Sequence, residues 1–253
     1  MSASEPTLRR LLPLVASAAR QLVEPVLAVV FPARCAACGD PLDEPGRGSL
    51  CESCWARLPR HAVRPCACGF PVPRHGERCG RCRRGLSPLS RGASLGPWEG
   101  PLRTAVAELK YRGRRRIAGR LAALLLERPE VEELLQGAAL VPVPLHPRRR
   151  AERGYNQAEL LARALAARSA AALAPALVIR RRDTPRQTGL SAALRRRNVR
   201  GAFAVPRPER VRGRILVLVD DVYTTGATLR ACAEALRRAG AAEVRVLTLA
   251  RVP

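Results

Sequence analysis

The sequence predicts an α/β protein with a parallel sheet covered on both faces by helices, preceded by a small cysteine-rich domain. From about residue 98, short apolar runs alternate with amphipathic helical patterns, which favours parallel strands joined by crossover helices. Eight of the nine cysteines lie in closely spaced pairs between residues 35 and 82. The strongest apolar run, residues 215–219, ends directly in two aspartates and a Thr- and Gly-rich turn. Ligands of open α/β sheets bind at such strand ends, so this junction is the first candidate site.

The chain divides into four segments. Residues 1–34 predict an N-terminal helical segment, residues 35–82 a cysteine-rich domain, residues 83–97 a linker and residues 98–253 the α/β domain. The apolar stretch 11–19 is shorter than the ~18 residues of a spanning helix. We therefore expect no stable membrane insertion and a cytoplasmic protein.

The elements of the α/β domain follow from periodicity. Helices are expected at 102–111, 117–126, 157–168 and 227–239, and strands at 139–143, 176–179, 215–219 and 244–249. A basic loop is expected between the strand at 139–143 and the helix at 157–168. The 155 or so residues of this segment suit one domain of this class.

The cysteine spacing is typical of zinc knuckles. Tetrahedral zinc takes four thiolates from two tight turns, and two such sets follow from the spacing: Cys35, Cys38, Cys51 and Cys54, then Cys66, Cys68, Cys79 and Cys82. The alternative is a disulfide framework, which a cytosolic chain disfavours. One pair is Cys-x-Cys rather than Cys-x2-Cys, and His75 is a possible replacement ligand there. We expect one or two structural zinc ions.

The junction after residue 219 has the chemistry of a sugar-phosphate site. Asp220 and Asp221 suit ribose hydroxyls or magnesium, and a helix N-terminus behind the turn suits a phosphate. The turn is formed by Thr224, Thr225, Gly226, Ala227 and Thr228. The alternative is an ordinary strand–turn–helix junction in which Asp and Thr only cap the helix. Two acids and three spaced threonines exceed what a cap requires.

A second loop follows the strand at 139–143. Forked arginine donors there match phosphate oxygens, which predicts a pyrophosphate loop comprising Pro144, Leu145, His146, Arg149 and Arg153; the alternative is a plain basic surface loop. Lys110 is the single lysine among 45 basic residues. Where arginine is so favoured, a surviving lysine suggests a need for a compact ammonium group, but chance survival of one lysine is the simpler interpretation.

The net charge of +24 is extreme. It predicts attraction to polyanions such as nucleic acid, whereas a GC-rich genome would explain the preference for Arg over Lys but not the excess of bases. Aromatic residues that could stack on bases are few, namely Trp55, Trp98, Tyr111 and Tyr155 and a small remainder.

Several motifs together resemble the ComF family of competence-associated, phosphoribosyltransferase-like proteins with a double zinc ribbon. They are Leu-Lys-Tyr-Arg-Gly at 109–113, Val-Pro-Val-Pro-Leu-His at 141–146, Glu-Arg-Gly-Tyr-Asn-Gln at 152–157, Arg186-Gln187-Thr188, Arg197-Asn198-Val199, and the Asp-Asp-Val-Tyr-Thr-Thr-Gly-Ala-Thr motif at 220–228. The last is the motif that type I phosphoribosyltransferases use for 5-phosphoribosyl-1-pyrophosphate (PRPP).

The resemblance implies a type I phosphoribosyltransferase fold and a role in DNA uptake with other competence proteins. It implies that Asp220 and Asp221 contact the ribose, that 224–228 holds the 5′-phosphate, and that PRPP binds with Mg²⁺. Lys110, Tyr155, Asn156 and Gln157 are further ligand-site candidates within the motifs. Two hypotheses follow: a Mg²⁺-dependent phosphoribosyltransferase with an unknown acceptor, or a non-catalytic single-stranded-DNA-binding protein whose PRPP site is regulatory or vestigial.

Overall fold

A computed structural model describes residues 33–42, 49–59, 66–69, 77–183, 199 and 201–252. Its helices are α1 Glu52–Ala56, α2 Gly80–Arg83, α3 Gly100–Tyr111, α4 Ile117–Leu126, α5 Pro129–Leu135, α6 Pro147–Arg153, α7 Gln157–Ala166 and α8 Ala227–Arg238. Its strands are β1 Gly92–Pro97, β2 Ala138–Pro142, β3 Ala172–Leu173, β4 Ile179–Arg180, β5 Phe203–Ala204, β6 Ile215–Tyr223 and β7 Glu243–Arg251.

Five of the strands form one parallel sheet in the order β1-β7-β6-β2-β3. β6 and β7 lie in its interior and are its longest strands, which agrees with their near-continuous apolar sequences. All five residues of β2 are buried. The antiparallel pair β4–β5 stands apart from this sheet. The carboxyl ends of β2 and β6 are neighbours, so the loops that follow them meet at one edge.

Alternate residues of β6 serve two separate hydrophobic cores, as the pleat of a strand requires. Val217 and Val219 pack with α3, α4, α5 and α7 on one face of the sheet. Leu216 and Leu218 pack on the other face with α8 and the β4–β5 pair. The predicted fold, a parallel sheet with helices on both faces behind a cysteine-rich segment, is therefore confirmed.

The cysteine-rich segment packs against both faces of the sheet. Trp55 of α1 is 3% exposed and belongs to the core of the first face, under the guanidinium of Arg120 at 4.5 Å. Arg120 also donates to both carboxylate oxygens of Glu52. On the other face Gly69 approaches Gly92 so closely that a Cβ at 92 would lie 2.7 Å from the Cα of residue 69. Glycine is required there because two backbones meet.

Some sequence-based boundaries were wrong. Residues 92–97, assigned to the linker, form β1, because pairing with β7 supplies a partner that their composition does not reveal. The basic loop after β2 contains a helix, α6, and helix α5 was not predicted. The strand expected at 176–179 is replaced by β3 at 172–173 and β4 at 179–180. The helices expected in 1–34, His75, and the 186–188 motif lie outside the described residues.

Within the part of the chain that the structure describes, none of the helices has both the length and the apolarity needed to cross a bilayer.

Candidate functional site

The two aspartates of the strand end lie on opposite sides of β6. Consecutive strand residues point to opposite faces, so Asp221 faces α3 and α7 while Asp220 faces α8. The Asp221 backbone N–H donates to Asp220 Oδ1 at 2.9 Å, and the Val222 N–H donates to Asp221 Oδ1 at the same distance. Asp221 is 5% exposed, and Asp220 is half-buried. The strand thus presents a carboxylate to each half of a cleft.

Lys110 neutralises the more buried carboxylate. Its Nζ lies 2.8 Å from Asp221 Oδ2, and Gln157 Nε2 donates to the same oxygen at 3.4 Å. Burial raises the pKa of Asp221, but the charge and hydrogen bond of Lys110 outweigh it and leave the pKa below its ordinary value. Burial likewise lowers the pKa of Lys110, and Asp221 more than restores it. Both groups are charged at neutral pH.

Asp220 behaves in the opposite way. Burial and the neighbouring negative charge of Asp221 raise the pKa of Asp220 to about 8, against a smaller lowering by Lys110. Like charges in one site cannot both ionise readily. The raised pKa of Asp220 favours its protonated form near neutral pH, beside an ionised Asp221 and the Lys110 ammonium group.

The turn after β6 forms a rigid cradle. Gly226 has φ of 67° and is the N-cap of α8, and a Cβ there would lie 2.6 Å from the hydroxyl of Tyr223. Arg230 of α8 donates to the backbone carbonyl of Thr225 and fixes the loop from behind. Thr225 Oγ1 accepts a long hydrogen bond from the Ala227 N–H at 3.4 Å, within the turn. Of the predicted phosphate loop, Thr225 alone does not line the cleft.

The basic side of the cleft is carried by α6. Pro144 and Leu145 follow β2, and Arg149 and Arg153 project from the helix toward the cleft. His146 has another role, because its Nδ1 accepts from the Arg148 N–H and caps α6. That histidine does not line the cleft.

The Tyr-Asn-Gln motif divides into supports and one cleft residue. The Tyr155 hydroxyl donates to the Leu109 carbonyl, which joins α7 to the end of α3 next to Lys110. Asn156 caps α7 through the Ala158 N–H at 3.1 Å and donates to the Val143 carbonyl at 3.0 Å. Gln157 lines the cleft. Tyr155 and Asn156 therefore hold the loops that carry the cleft residues.

The cleft has a volume of about 600 Å³ and is lined by both carboxylates, the threonine turn and four cationic side chains, namely Lys110, Arg149, Arg153 and Arg180. Arg180 was missed by sequence reasoning because it belongs to an arginine run, 180–182, that offers no way to choose among its members. Trp98 and Tyr111 also line the cleft.

The cysteines form two four-sulfur clusters. Within each cluster the ligand atoms lie within 4.8 Å of one another, in the sets Cys35, Cys38, Cys51 and Cys54, and Cys66, Cys68, Cys79 and Cys82. The Sγ–Sγ distances of 3.6 Å for Cys38–Cys51 and 3.7 Å for Cys68–Cys79 match the ~3.8 Å edge of a tetrahedron with Zn–S of ~2.3 Å. The shortened Cys66-x-Cys68 spacing therefore does not disrupt the second cluster.

The environment of Cys35 also fits a thiolate. The N–H groups of Ala37 and Cys51 point at Cys35 Sγ at 3.4 and 3.3 Å. Burial raises the pKa of Cys35, but these backbone donors outweigh it and lower the pKa to about 6. The donor set suits structural zinc, with four protein ligands and no open position. Cys232 is different, because burial raises its pKa and it lies in the apolar core of α8.

Comparisons with known proteins agree with this architecture. Residues 26–91 match the double zinc ribbon domain family, and residues 151–253 match the phosphoribosyl transferase domain family. DNA utilization protein YhgH of Salmonella typhimurium is 39% identical over 228 residues, covering 88% of this chain and 99% of that protein. Competence protein F of Haemophilus influenzae is 33% identical, covering 81% and 91%. Competence protein ComFC of Bacillus subtilis is 28% identical, covering 80% and 84%.

The chain belongs to the ComF family. The family resemblance expected from the motifs is thereby confirmed, as are the phosphoribosyltransferase domain and the zinc ribbon. A solved structure of glutamine PRPP amidotransferase from B. subtilis, complexed with ADP and GMP, covers 56% of this chain and 30% of that chain at 24% identity. Its TM-score of 0.36 is too low to bear on function.

In this ComF protein the second cysteine cluster lies in the same hydrophobic core as Tyr223, which supports the threonine turn. Tyr223, which is 1% exposed, lies beneath Gly226 and faces Arg230 and Arg251, with the Arg251 guanidinium 5.8 Å from its ring. Burial raises the pKa of Tyr223 to about 12, against a lowering by Arg230, and the negative charge of Cys68 adds a smaller increase. A side chain that fixes the turn is thus also a neighbour of a cysteine cluster.

Proposed function

We propose that this ComF protein binds PRPP with Mg²⁺ in the cleft and transfers the phosphoribosyl group to a nitrogen acceptor during the use of DNA that the cell has taken up. The observation that carries this proposal is the convergence, in one cleft, of two carboxylates, a threonine turn at a helix N-terminus and four cationic side chains. Each group of PRPP has a chemically matched partner among them.

The roles follow from this chemistry. The turn 224–228 and the N-terminus of α8 receive the 5′-phosphate, since N–H groups and a partial positive charge point there. Asp220 and Asp221 accept hydrogen bonds from the ribose hydroxyls. Arg149 and Arg153 neutralise the pyrophosphate through forked donors. Lys110 and Gln157 contact Asp221 and therefore lie beside the proposed ribose site.

The donor set fits magnesium as a partner of PRPP. Mg²⁺ prefers oxygen ligands, keeps several waters and commonly binds through one or two carboxylates together with substrate phosphates. Asp220 presents such an oxygen to the cleft. When bound, the ion supplies positive charge against the developing charge on the pyrophosphate. The chain's own contribution is to orient the carboxylates and to place the arginines beside the leaving group.

The transfer itself is a substitution at C1 of the ribose. The bond from C1 to the pyrophosphate oxygen breaks and its electron pair leaves with pyrophosphate, while the acceptor nitrogen donates its lone pair to form the C1–N bond. The proton of that nitrogen is lost to solvent or to the departing pyrophosphate. Fixed cations near the leaving group stabilise charge that grows in the transition state, which is the larger part of such catalysis.

The DNA side of the proposal rests on the relatives and the charge. DNA utilization protein YhgH and competence protein F are named for DNA use and competence. A chain of +24 binds polyanions electrostatically, so single-stranded DNA is the proposed macromolecular partner and the cytoplasm the proposed location.

Calorimetry with PRPP and Mg²⁺ tests the binding step. We expect Asp221→Asn to weaken PRPP binding at least tenfold, whereas Glu130→Gln, an exposed carboxylate on α5, leaves it unchanged. A screen of PRPP with nucleobases, nucleosides and single-stranded DNA, read as pyrophosphate release, tests the transfer. Unchanged PRPP affinity in Asp221→Asn refutes the site. Tight PRPP binding without release from any acceptor favours the non-catalytic binding protein.

A further inference from the structure

Two buried arginines lie near both the second cysteine cluster and the threonine turn. Arg251, at the end of β7, is 1% exposed, and Arg230 of α8 is 9% exposed. Tyr223 faces both of them, and it is the neighbour of Arg251 across β6 and β7. The cysteines of the second cluster pack in the same hydrophobic core as Tyr223. Because guanidinium groups stay protonated, two permanent positive charges are buried in this region.

Neutral groups accept hydrogen bonds from these two arginines. Arg251 Nη2 donates to Ser94 Oγ at 2.9 Å, and that hydroxyl lies 2.6 Å from the hydroxyl of Thr248. Arg230 Nη2 donates to the carbonyl of Thr225 in the turn. Hydroxyl and carbonyl oxygens satisfy N–H donors but do not offset a full positive charge. A buried charge is stable in a protein when an opposite charge lies nearby.

The second cysteine cluster supplies negative charge to both arginines. Burial lowers the pKa of Arg251 to about 10, and Tyr223 and Cys68 oppose this lowering. Burial and the charge of Arg81 lower the pKa of Arg230, whereas Tyr223 and, more weakly, Cys68 raise it. A tyrosine phenol is neutral at pH 7. Of these two neighbours, the cysteine is therefore the one that carries a negative charge.

The position of this negative charge depends on the metal. The four sulfurs of the cluster lie within 4.8 Å of one another, and thiolates at such distances repel unless a cation holds them together. Four thiolates and one Zn²⁺ sum to two negative charges, which offset the two guanidinium groups. Residues that surround a metal site in this way commonly change its metal affinity 10–100-fold.

We propose that Arg230 and Arg251 are positioning residues of the second zinc centre, and that they couple metal occupancy to ligand binding at the threonine turn. The negative charge of the loaded cluster holds both guanidinium groups in the core, and Arg230 in turn holds the carbonyl of Thr225. By linkage, a ligand at the turn and zinc at the cluster strengthen each other's binding. The coupling rests on the proposed function of the cleft, whereas the role of the arginines toward the metal does not.

Pulse alkylation measures the zinc affinity of each cluster separately. Zinc-loaded protein is equilibrated with increasing concentrations of a zinc-selective chelator and treated briefly with N-ethylmaleimide, and peptide mass spectrometry then counts the modified cysteines of each cluster. The proteins are wild type, Arg251→Met, Arg251→Lys and the control Arg57→Met. Arg57 is the matched residue at the first cluster, where its Nη2 donates to Cys54 Sγ at 3.2 Å.

Selectivity between the clusters distinguishes this role from general destabilisation. We expect Arg251→Met to weaken zinc binding at the second cluster about tenfold or more and to leave the first cluster within about twofold of wild type. Arg251→Lys, which keeps the charge, should stay within about threefold of wild type at both clusters. Arg57→Met should weaken the first cluster alone.

Three results overturn the role of the arginines. They are equal weakening of both clusters in Arg251→Met, no weakening of the second cluster, and a loss in Arg251→Lys as large as that in Arg251→Met. If Arg251→Met does not fold, Arg230→Met replaces it with the same expectation and the same refuting results.

The coupling is tested first with the wild-type protein. We expect saturating PRPP with Mg²⁺ to strengthen zinc binding about fivefold at the second cluster and not at the first, and Arg230→Met to abolish this effect. If PRPP binds in calorimetry but leaves zinc binding unchanged, the coupling is wrong. If PRPP does not bind the wild-type protein, the proposed function fails, and the comparison of Arg251→Met with Arg251→Lys still decides the role of the arginines.

Discussion

Replacing Lys110 by methionine removes the counterion of a buried carboxylate while keeping the length and apolar stem of the side chain. The Nζ–Oδ2 distance to Asp221 is 2.8 Å, and the lysine and aspartate side chains are 24% and 6% exposed. Removing one partner of a fully buried ion pair costs ~3–5 kcal/mol. Because the lysine retains contact with water in the cleft, we expect Lys110→Met to lower the free energy of unfolding by about 2–3 kcal/mol at pH 7.5.

A double-mutant cycle in urea isolates the pair from the packing of the lysine stem. The proteins are Lys110→Met, Asp221→Asn, the combined variant and the control Arg112→Met, which removes an exposed cation at the end of the same helix. We expect a coupling energy of about 2 kcal/mol, with the combined variant close to Asp221→Asn alone, and a change within about 0.5 kcal/mol for the control.

The pH dependence gives a second signature of the same pair. Without Lys110, burial raises the pKa of Asp221, so the unfolded state releases a proton that the folded state retains. The stability of Lys110→Met should therefore fall as pH rises from 5.5 to 7.5 relative to wild type. Additivity of the two single substitutions within about 0.5 kcal/mol refutes the reasoning, because it means that the two charges do not interact.

Three further predictions concern the same cleft. The folded-state pKa of Asp220 is about 8 against an ordinary value of 3.8, so the wild-type protein loses stability as pH rises through that window. In urea unfolding, Asp220→Asn should be about 2 kcal/mol more stable than wild type at pH 8, and this difference should narrow toward pH 6. A difference that does not change with pH contradicts the assignment. Gly226→Ala should abolish PRPP binding in calorimetry, because a Cβ at this position would clash with Tyr223 and Arg230 and because φ is positive there. Retained affinity would mean that the turn does not hold the phosphate. Chelation of zinc should weaken PRPP binding several-fold, because Tyr223 and Arg230, which hold the threonine turn, lie near the second cysteine cluster. Arg230→Met should cause the same loss while zinc remains bound. Unchanged affinity in both experiments would show that the zinc ribbon and the turn are independent.

The sequence alone identified the features that depend on local pattern. The apolar run before Asp220 and Asp221 is typical of a buried strand, and it forms β6. The threonine turn directly after it, at the start of a helix, has the groups that suit a phosphate. Helix α4 occupies the range 117–126 that periodicity predicts. The cysteine pairs predict two four-sulfur clusters, because a tetrahedral zinc site needs only two closely spaced cysteines from each of two knuckles.

Tertiary structure decided what depends on partners distant in sequence. Residues 92–97 become a strand only because β7 offers a paired edge, and α6 forms where composition showed only a basic loop. Lys110 was a candidate because of its rarity, but its role appears only when α3 brings it to Asp221. Arg180, Trp98 and Tyr111 come to the cleft from segments with no common motif. Local patterns specify elements and reactive groups, whereas the meeting of strand ends from separate segments specifies which groups share one cleft.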